Sequence, residues 1–281
     1  MGMPVILSAC RTPGGKFGGA LKGLDAPALG GIAVAEAVRR AGVEPNVIGE
    51  VILGNGWQSG VGPTPARIAE HRAGLPVEIP AFTINKRCGS GLKAAMLIAD
   101  RIRLGDISAG VAGGMESASN VPYILSDARW GFRMGEKAAA DVLHKDGFLC
   151  PLAGMLMGAT AEVLAEEGGI TRAEQDEYAC ESHRKASRAV AEGWFKNEIV
   201  SVVLKDKKKG EVVVDVDEIP RPDTSVEALA KLPAIFKKDG TVTAGSSSAL
   251  CDAGSAGVIA DSDWAKAHGF KPLAEIMGYA S

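Results

Sequence analysis

The sequence predicts an α/β fold, and three observations carry that expectation. Short apolar runs of strand length recur at 4–8, 51–53, 81–84 and 110–112. Longer segments between them repeat their apolar residues at helical spacing and end on glycine or basic residues. Continuous apolar strands alternating with helices belong to a largely buried sheet covered by those helices.

Residues 4–8 form the first expected strand, and the Gly-rich stretch 11–19 is the loop that leaves it. Within 26–41, Leu29, Ile32, Ala33 and Ala37 share one helical face, Glu36, Arg39 and Arg40 take the polar side, and Gly42 supplies a stop. A strand at 51–53, a helix at 65–73, a strand at 81–84, a helix near 89–104 and a strand near 110–112 continue the alternation. Residues 113–149 then turn polar and irregular, with Trp130, Arg133 and His144 and no sustained period, which marks an insertion with a function of its own. Two helices follow, at 155–167 and from Thr171 onward. Thr171 and Glu174 make a T-x-x-E capping box for the second, and Gly193 closes it. The strands 202–204 and 211–216 flank Asp206-Lys207-Lys208-Lys209-Gly210, a hairpin turn with a solvated tip. Residues 220–240 read as loop and 243–257 as a small-residue segment leading into a strand at 258–260, with a last helix and strand within 264–280.

With 281 residues and 46% hydrophobic content, the chain accommodates one domain with an insertion or two domains in series. A net charge of −3 offers no excess positive charge for a phosphate backbone, so nucleic acid is not an expected partner, while local basic contacts to a small anion stay open. No apolar run reaches bilayer length, and the start MGMPVILSACRTPGG lacks the pattern of a signal peptide, so a soluble, cytoplasmic protein is expected, with no membrane partner. Cys10, Cys88, Cys150, Cys180 and Cys251 form no C-x-x-C pair and read as free thiols, four of them as small buried apolar residues. His71, His144, His183 and His268 show no ligand spacing, so no metal is expected.

Chemistry concentrates in Ile84-Asn85-Lys86-Arg87-Cys88-Gly89-Ser90-Gly91-Leu92-Lys93-Ala94, where an expected strand gives way to a helix at a cysteine. The partial positive charge and free N–H groups of a helix start favour a thiolate. Gly89 and Gly91 let a substrate approach the sulfur closely. On these features alone Cys88 is either an ordinary buried cysteine at a helix start or a nucleophile. A serine-hydrolase elbow needs G-x-S-x-G, and Ser90 between Gly89 and Gly91 is in the wrong frame.

The stretch Asn85 to Ala94 resembles the thiolase signature around the acylated cysteine. Ala112-Gly113-Gly114-Met115-Glu116-Ser117, with Ser119-Asn120-Val121-Pro122-Tyr123, resembles the family's second marker, departing at Ala118 where methionine is common. Ser8-Ala9-Cys10-Arg11-Thr12-Pro13 and Lys238-Asp239-Gly240-Thr241-Val242-Thr243-Ala244-Gly245 match in order, so the resemblance covers essentially the whole chain.

The resemblance implies a layered α/β/α/β/α thiolase fold, here its N-terminal half: an α/β domain of residues 1–115 and 243–281, with an inserted coenzyme A-binding loop domain at 116–242. It implies an acyltransferase of fatty acid metabolism that uses coenzyme A as substrate, has no covalently bound cofactor and carries Cys88 as nucleophile. Met157 falls at the acyl pocket, Arg221 at the nucleotide end of the coenzyme and Ser248 at the pantetheine arm. Read from the residues alone, the same positions are a core methionine, a solvated arginine and a turn serine. Leu156 departs from the histidine many members carry. The second half, with its Asn-Glu-Ala-Phe-like segment, Gly-His-Pro motif and second cysteine, has no counterpart here, which leaves the thiol without its histidine activator. A homo-oligomer or a complementary C-terminal half is therefore an expected partner. Other readings are a non-catalytic coenzyme A-binding subunit, one part of a split enzyme, and a ketoacyl synthase, which the stretches at 113–117 and 238–245 resemble less than they do thiolase.

Overall fold

The structure, a computed structural model, describes residues 2–208 and 210–281. Along the chain run β1 (Pro4–Arg11), α1 (Ala26–Ala41), β2 (Val51–Gly54), α2 (Pro65–Arg72), β3 (Ala81–Ile84), α3 (Ser90–Arg103) and β4 (Ala109–Ser117). Next come α4 (Met157–Gly168), α5 (Arg172–Ala191), β5 (Val202–Asp206), β6 (Gly210–Val214) and α6 (Val226–Ala230). The described chain continues through β7 (Cys251–Asp261), α7 (Ser262–Ala267) and β8 (Ala274–Glu275). Two compact units result: Met1–Asn120 with Lys196–Glu218 and Cys251–Ser281, and Val121–Phe195 with Ile219–Leu250.

The first unit is built on a mixed sheet in the order β8-β1-β7-β4-β2-β3, with the two-residue strand Gly15–Lys16 paired to the start of β7. β2 lies parallel to β3 and β4, and β7 returns antiparallel between β1 and β4. Alternate residues of these strands are buried on opposite faces. Val51, Leu53, Val111, Val258 and Ala260 pack with Ala33, Val34 and Ala37 of α1 and Ala66 and Ala69 of α2. The intervening Ile52, Ala112 and Ile259 pack with Ala94, Ile98 and Ile102 of α3. Because side chains alternate across a strand, burial on both faces demands apolar residues at consecutive positions, which is why these strands read as unbroken runs. Each fully buried Val, Leu or Ile contributes about 1.5–3 kcal/mol.

Helix ends follow from local chemistry. Asp25 caps α1 by accepting the Ala28 N–H at 2.8 Å, and Gly42 ends it in the left-handed conformation at φ 69°. Thr171 and Glu174 form the capping box at the start of α5, and Gly193, at φ 73°, follows its C-cap. Among the strands that outrun their expected lengths, β1 reaches Arg11, β4 reaches Ser117 and β7 begins at Cys251. The extensions of β4 and β7 are rich in Gly, Ala and Ser, so the apolar signal fades where the packing is tightest. At Gly254 an added Cβ would lie 2.3 Å from the Leu29 carbonyl oxygen, so β7 and α1 meet at backbone distance.

The units divide after Asn120, later than the expected boundary at 115, and residues 196–218 belong to the first unit rather than to the insertion. Val202 of β5 and Val214 of β6 are buried with Leu21 and Leu29. Arg11 donates to Asp217 at 2.6 and 2.9 Å and to Glu198 at 2.7 Å, and Arg40 donates to the Asn197 and Ile199 carbonyls. Burial opposes the charge of Asp217, but hydrogen bonds from Arg11 and the Gly14 N–H hold its carboxyl below the usual range. The hairpin itself is β5 and β6, paired from Val202 with Val214 to Asp206 with Gly210. Lys207 and Lys208 form its exposed turn, and Lys209 lies outside the described residues.

The second unit holds α4, α5 and α6, and takes in residues 243–250, which the sequence had suggested for the α/β domain. The stretch expected to be irregular carries short pairings, Tyr123–Ile124 with Ala140–Asp141 and Leu149–Cys150 with Met155–Leu156, and a π-helical turn at His144–Phe148. α6 gives order to the expected 220–240 loop. Ser225 caps it, and Arg172 of α5 donates to the Leu229 and Leu232 carbonyls at 2.7 and 2.9 Å. Buried Glu162 of α4 accepts the N–H groups of Thr241 and Val242 at 2.9 and 2.7 Å, fixing the following loop.

Candidate active site

The register of the parallel strands assembles the site in the first unit. Gly54 at the end of β2 pairs with Ile84 of β3 and Gly114 of β4, so β2 and β3 end at one level while β4 runs on to Ser117 beside them. This brings together the turn Asn55-Gly56-Trp57, the loop Asn85 to Cys88 and the side chain of Glu116. Carboxyl ends of parallel strands are where α/β sheets form sites, because loops and helix starts converge there.

Cys88 is exposed, two residues before the first residue of α3, with Gly89 as the N-cap. Cys10 alone meets the expectation of burial among the other four cysteines. Cys150, on a two-residue strand, Cys180, within α5, and Cys251, the first residue of β7, are half-buried. The loop before Cys88 is held in an uncommon conformation: Arg87 adopts φ 51°, the left-handed region that costs a non-glycine residue about 1–3 kcal/mol. Several contacts hold it there. Asn85 Oδ1 accepts the Arg87 N–H at 3.0 Å, and buried Ser90 donates its hydroxyl to the Arg87 carbonyl at 2.6 Å while accepting the Lys86 N–H at 2.7 Å. Arg87 Nη1 and Asn85 Nδ2 both donate to the Gly56 carbonyl, at 2.8 and 3.1 Å, and the guanidinium lies 5.4 Å from the Trp57 ring centroid. Gly54 lets the first turn of α3 lie against β2, since a Cβ there would fall 2.5 Å from Ser90 Cβ.

Glu116 completes the arrangement from the far side of the turn. Its carboxylate accepts the Gly56 N–H at 2.8 Å, the Trp57 N–H at 3.0 Å and Asn55 Nδ2 at 2.6 Å. Burial pushes this carboxyl above its ordinary range, against those hydrogen bonds and the nearby Arg87 charge. Asn55, Trp57 and Glu116 were not foreseen as parts of the site. Glu116 sits inside a recognised marker, but no spacing in the sequence links positions 55, 87 and 116; only the pairing of β2 between β3 and β4 does.

The other three expected site residues belong to the second unit. Met157 opens α4 and is exposed, Arg221 is exposed and donates its backbone N–H to His183 Nδ1 at 3.2 Å, and Ser248 is exposed. Beside Ser248, Ser247 donates to the Thr243 carbonyl at 2.7 Å, which orders the serine loop. No hydrogen bond among the described residues joins any two of Met157, Arg221 and Ser248. Among the described residues no His, Cys, Asp and Glu cluster could hold a metal, and no helix is long and apolar enough to cross a membrane.

Comparisons with known proteins agree with this architecture. A family model described as the thiolase N-terminal domain matches residues 4–263. An acetyl-CoA acetyltransferase of Syntrophomonas wolfei is 45% identical over 279 residues, covering 99% of this chain and 70% of the relative. An acetyl-CoA acetyltransferase of Pseudomonas aeruginosa is 45% identical over 277 residues, with the same two coverages. The crystal structure of the Bacillus anthracis acetyl-CoA acetyltransferase matches with a TM-score of 0.96 at 42% identity, covering 100% of this chain and 71% of that one. With the fold, the ordered motifs and relatives matched over nearly all of this chain in agreement, the chain belongs to the thiolase family, whose N-terminal α/β fold it carries.

Proposed function

We propose that this chain acts as a thiolase-type acyltransferase in which Cys88 accepts the acyl group of an acyl-CoA. The observation that supports this most directly is an exposed cysteine at a helix start, on a loop locked by left-handed Arg87, in a chain whose relatives are named acetyl-CoA acetyltransferases. The Cys88 sulfur attacks the thioester carbon, the bond from that carbon to the coenzyme sulfur breaks, and the thiol proton passes to the departing coenzyme A. One thioester replaces another, so the bond exchange itself is close to balanced. In synthesis, a second acetyl-CoA loses a proton from its methyl carbon. The carbanion forms the new carbon-carbon bond and Cys88 leaves as a thiolate. In degradation the same steps run backwards: Cys88 takes the acyl group of a 3-ketoacyl-CoA, and coenzyme A carries it away.

On the family pattern, Met157 contacts the acyl chain, Arg221 the nucleotide end of coenzyme A and Ser248 its pantetheine arm. The setting is cytoplasmic fatty acid metabolism, in a homo-oligomer or together with a complementary C-terminal half. The matched stretch is 70% of the two relatives' length. The competing reading from the same observation is a coenzyme A-binding, non-acylating subunit. Intact mass of the protein before and after incubation with acetyl-CoA, with Cys88→Ser alongside, separates the two. An acetyl adduct lost in Cys88→Ser supports the acyl-accepting cysteine. A folded protein that binds coenzyme A without forming an adduct favours the binding subunit.

A further inference from the structure

The peptide between Gly56 and Trp57 is held from both ends. Its carbonyl receives Arg87 Nη1 and Asn85 Nδ2, the two side chains that flank the left-handed turn before Cys88. Its N–H, that of Trp57, is bound by Glu116, which also holds the Gly56 N–H of the preceding peptide and the side chain of Asn55. An added Cβ at Gly56 would lie 2.9 Å from Glu116 Oε2 and 3.7 Å from Arg87 Nη1, so the carboxylate and the guanidinium converge on this one peptide. Linked hydrogen bonds polarise one another, and a peptide bound at both its N–H and its carbonyl transmits a change at one end to the other.

We propose that Glu116 is a positioning residue for Cys88, acting through the Asn55-Gly56-Trp57 turn on Arg87 and the loop that carries the thiol. Among the described residues Glu116 makes no hydrogen bond to Cys88. It anchors the peptide whose carbonyl fixes the guanidinium of Arg87, and Arg87 in its left-handed conformation sets the direction in which the chain delivers Cys88 to the start of α3. Left-handed backbone at a non-glycine residue persists only when its surroundings hold it, and here two of the holding contacts, those from Arg87 Nη1 and Asn85 Nδ2 to the Gly56 carbonyl, trace back to one carboxylate. The assignment concerns the reaction proposed above and rests on Cys88 being its nucleophile.

The test uses thiol alkylation, which needs no acyl-CoA. Cys88 and Cys180 are followed by peptide mass spectrometry during reaction of the full chain with iodoacetamide, in the parent protein, Glu116→Gln, Arg87→Gly and the double variant. Glu116→Gln presents an amide to donors that require an acceptor and should slow Cys88 by about five-fold, the size of a helix-start effect on an anion. Cys180, in the second unit, should keep its rate. The double variant should be no slower at Cys88 than Arg87→Gly, because both substitutions cut the same linkage. An unchanged Cys88 rate in Glu116→Gln, effects that multiply in the double variant, or a parallel change at Cys180 would each overturn the proposal. If Glu116→Gln fails to fold, Glu116→Asp takes its place, keeping the charge while drawing back from the Gly56 N–H, with the same outcomes required. Absence of an acetyl adduct in the parent protein would sink the nucleophile and leave the alkylation pattern intact, so the two failures are distinguishable.

Discussion

Gly54→Ala tests whether the seat of the nucleophile is set by backbone contact. The added methyl would lie 2.5 Å from Ser90 Cβ, 2.8 Å from Ser90 C and 2.9 Å from Gly91 N, whereas ordinary contact begins at 3.4 Å. None of these atoms belongs to a side chain that can rotate away, so the first turn of α3 must retreat by about 1 Å or β2 must bend; overpacking of this kind costs about 1–3 kcal/mol. Taking about 2 kcal/mol, the unfolding equilibrium of the first unit moves by roughly thirty-fold and its melting temperature falls by about 4–8 °C. A shift of about 1 Å also takes the sulfur from its position, a displacement that costs on the order of 100-fold where the thiol reacts by oriented attack. Thermal unfolding and the rate of acetyl adduct formation are the two assays. A melting temperature within 1 °C of the parent together with an unchanged rate would refute the argument that β2 and α3 meet at backbone distance.

Other consequences follow from named contacts. Ile98 is fully buried beneath the sheet among Ile52, Ile102 and Ile259, so Ile98→Ala should lower unfolding free energy by about 2–5 kcal/mol in denaturant titration, and a loss under 1 kcal/mol would mean that face is not packed. Hydrogen bonds from Arg39, assisted by Arg40 and opposed by burial, pull the Glu36 carboxyl from 4.5 down to about 2. A depressed carboxyl contributes stability above its unfolded value and loses it as pH falls toward the folded one. Glu36→Gln should therefore flatten the stability profile between pH 4.5 and 2, and an unaltered slope there would contradict the pairing. Burial pushes the Cys10 thiol up to about 11 and points its Sγ at the Ala33 carbonyl, 3.3 Å away. At neutral pH iodoacetamide should label Cys88 and leave Cys10 untouched until the protein unfolds; equal labelling of both would remove the distinction between surface and core thiol.

The elements most legible in the sequence were those whose two ends carry chemical signals. Ala26 to Ala41 was bounded by its stop at Gly42, and α5 by the Thr171–Glu174 box. β3 was recovered at its observed limits because Ala81 to Ile84 is an isolated apolar run. The extents of β4 and β7 were hidden because close backbone packing selects Gly, Ala and Ser, which carry no hydrophobic period. The hairpin at 202–214 was seen as a hairpin, yet its membership of the first unit depends on Leu21 and Leu29, nearly two hundred residues earlier.

By itself, then, the sequence determined an alternating α/β order, the extent of α1, the start of α5, a cysteine at a strand-to-helix junction and membership of the thiolase family. Those properties are written in neighbouring residues or in ordered motifs. Tertiary structure decided what surrounds the thiol. Asn55, Arg87 and Glu116 meet only because β2 pairs in parallel register with both β3 and β4, and the left-handed turn at Arg87 is held by groups drawn from all three strand ends. Hydrogen bonds between residues so far apart in the chain leave no local period or spacing, and they exist only once the sheet has brought their strands side by side.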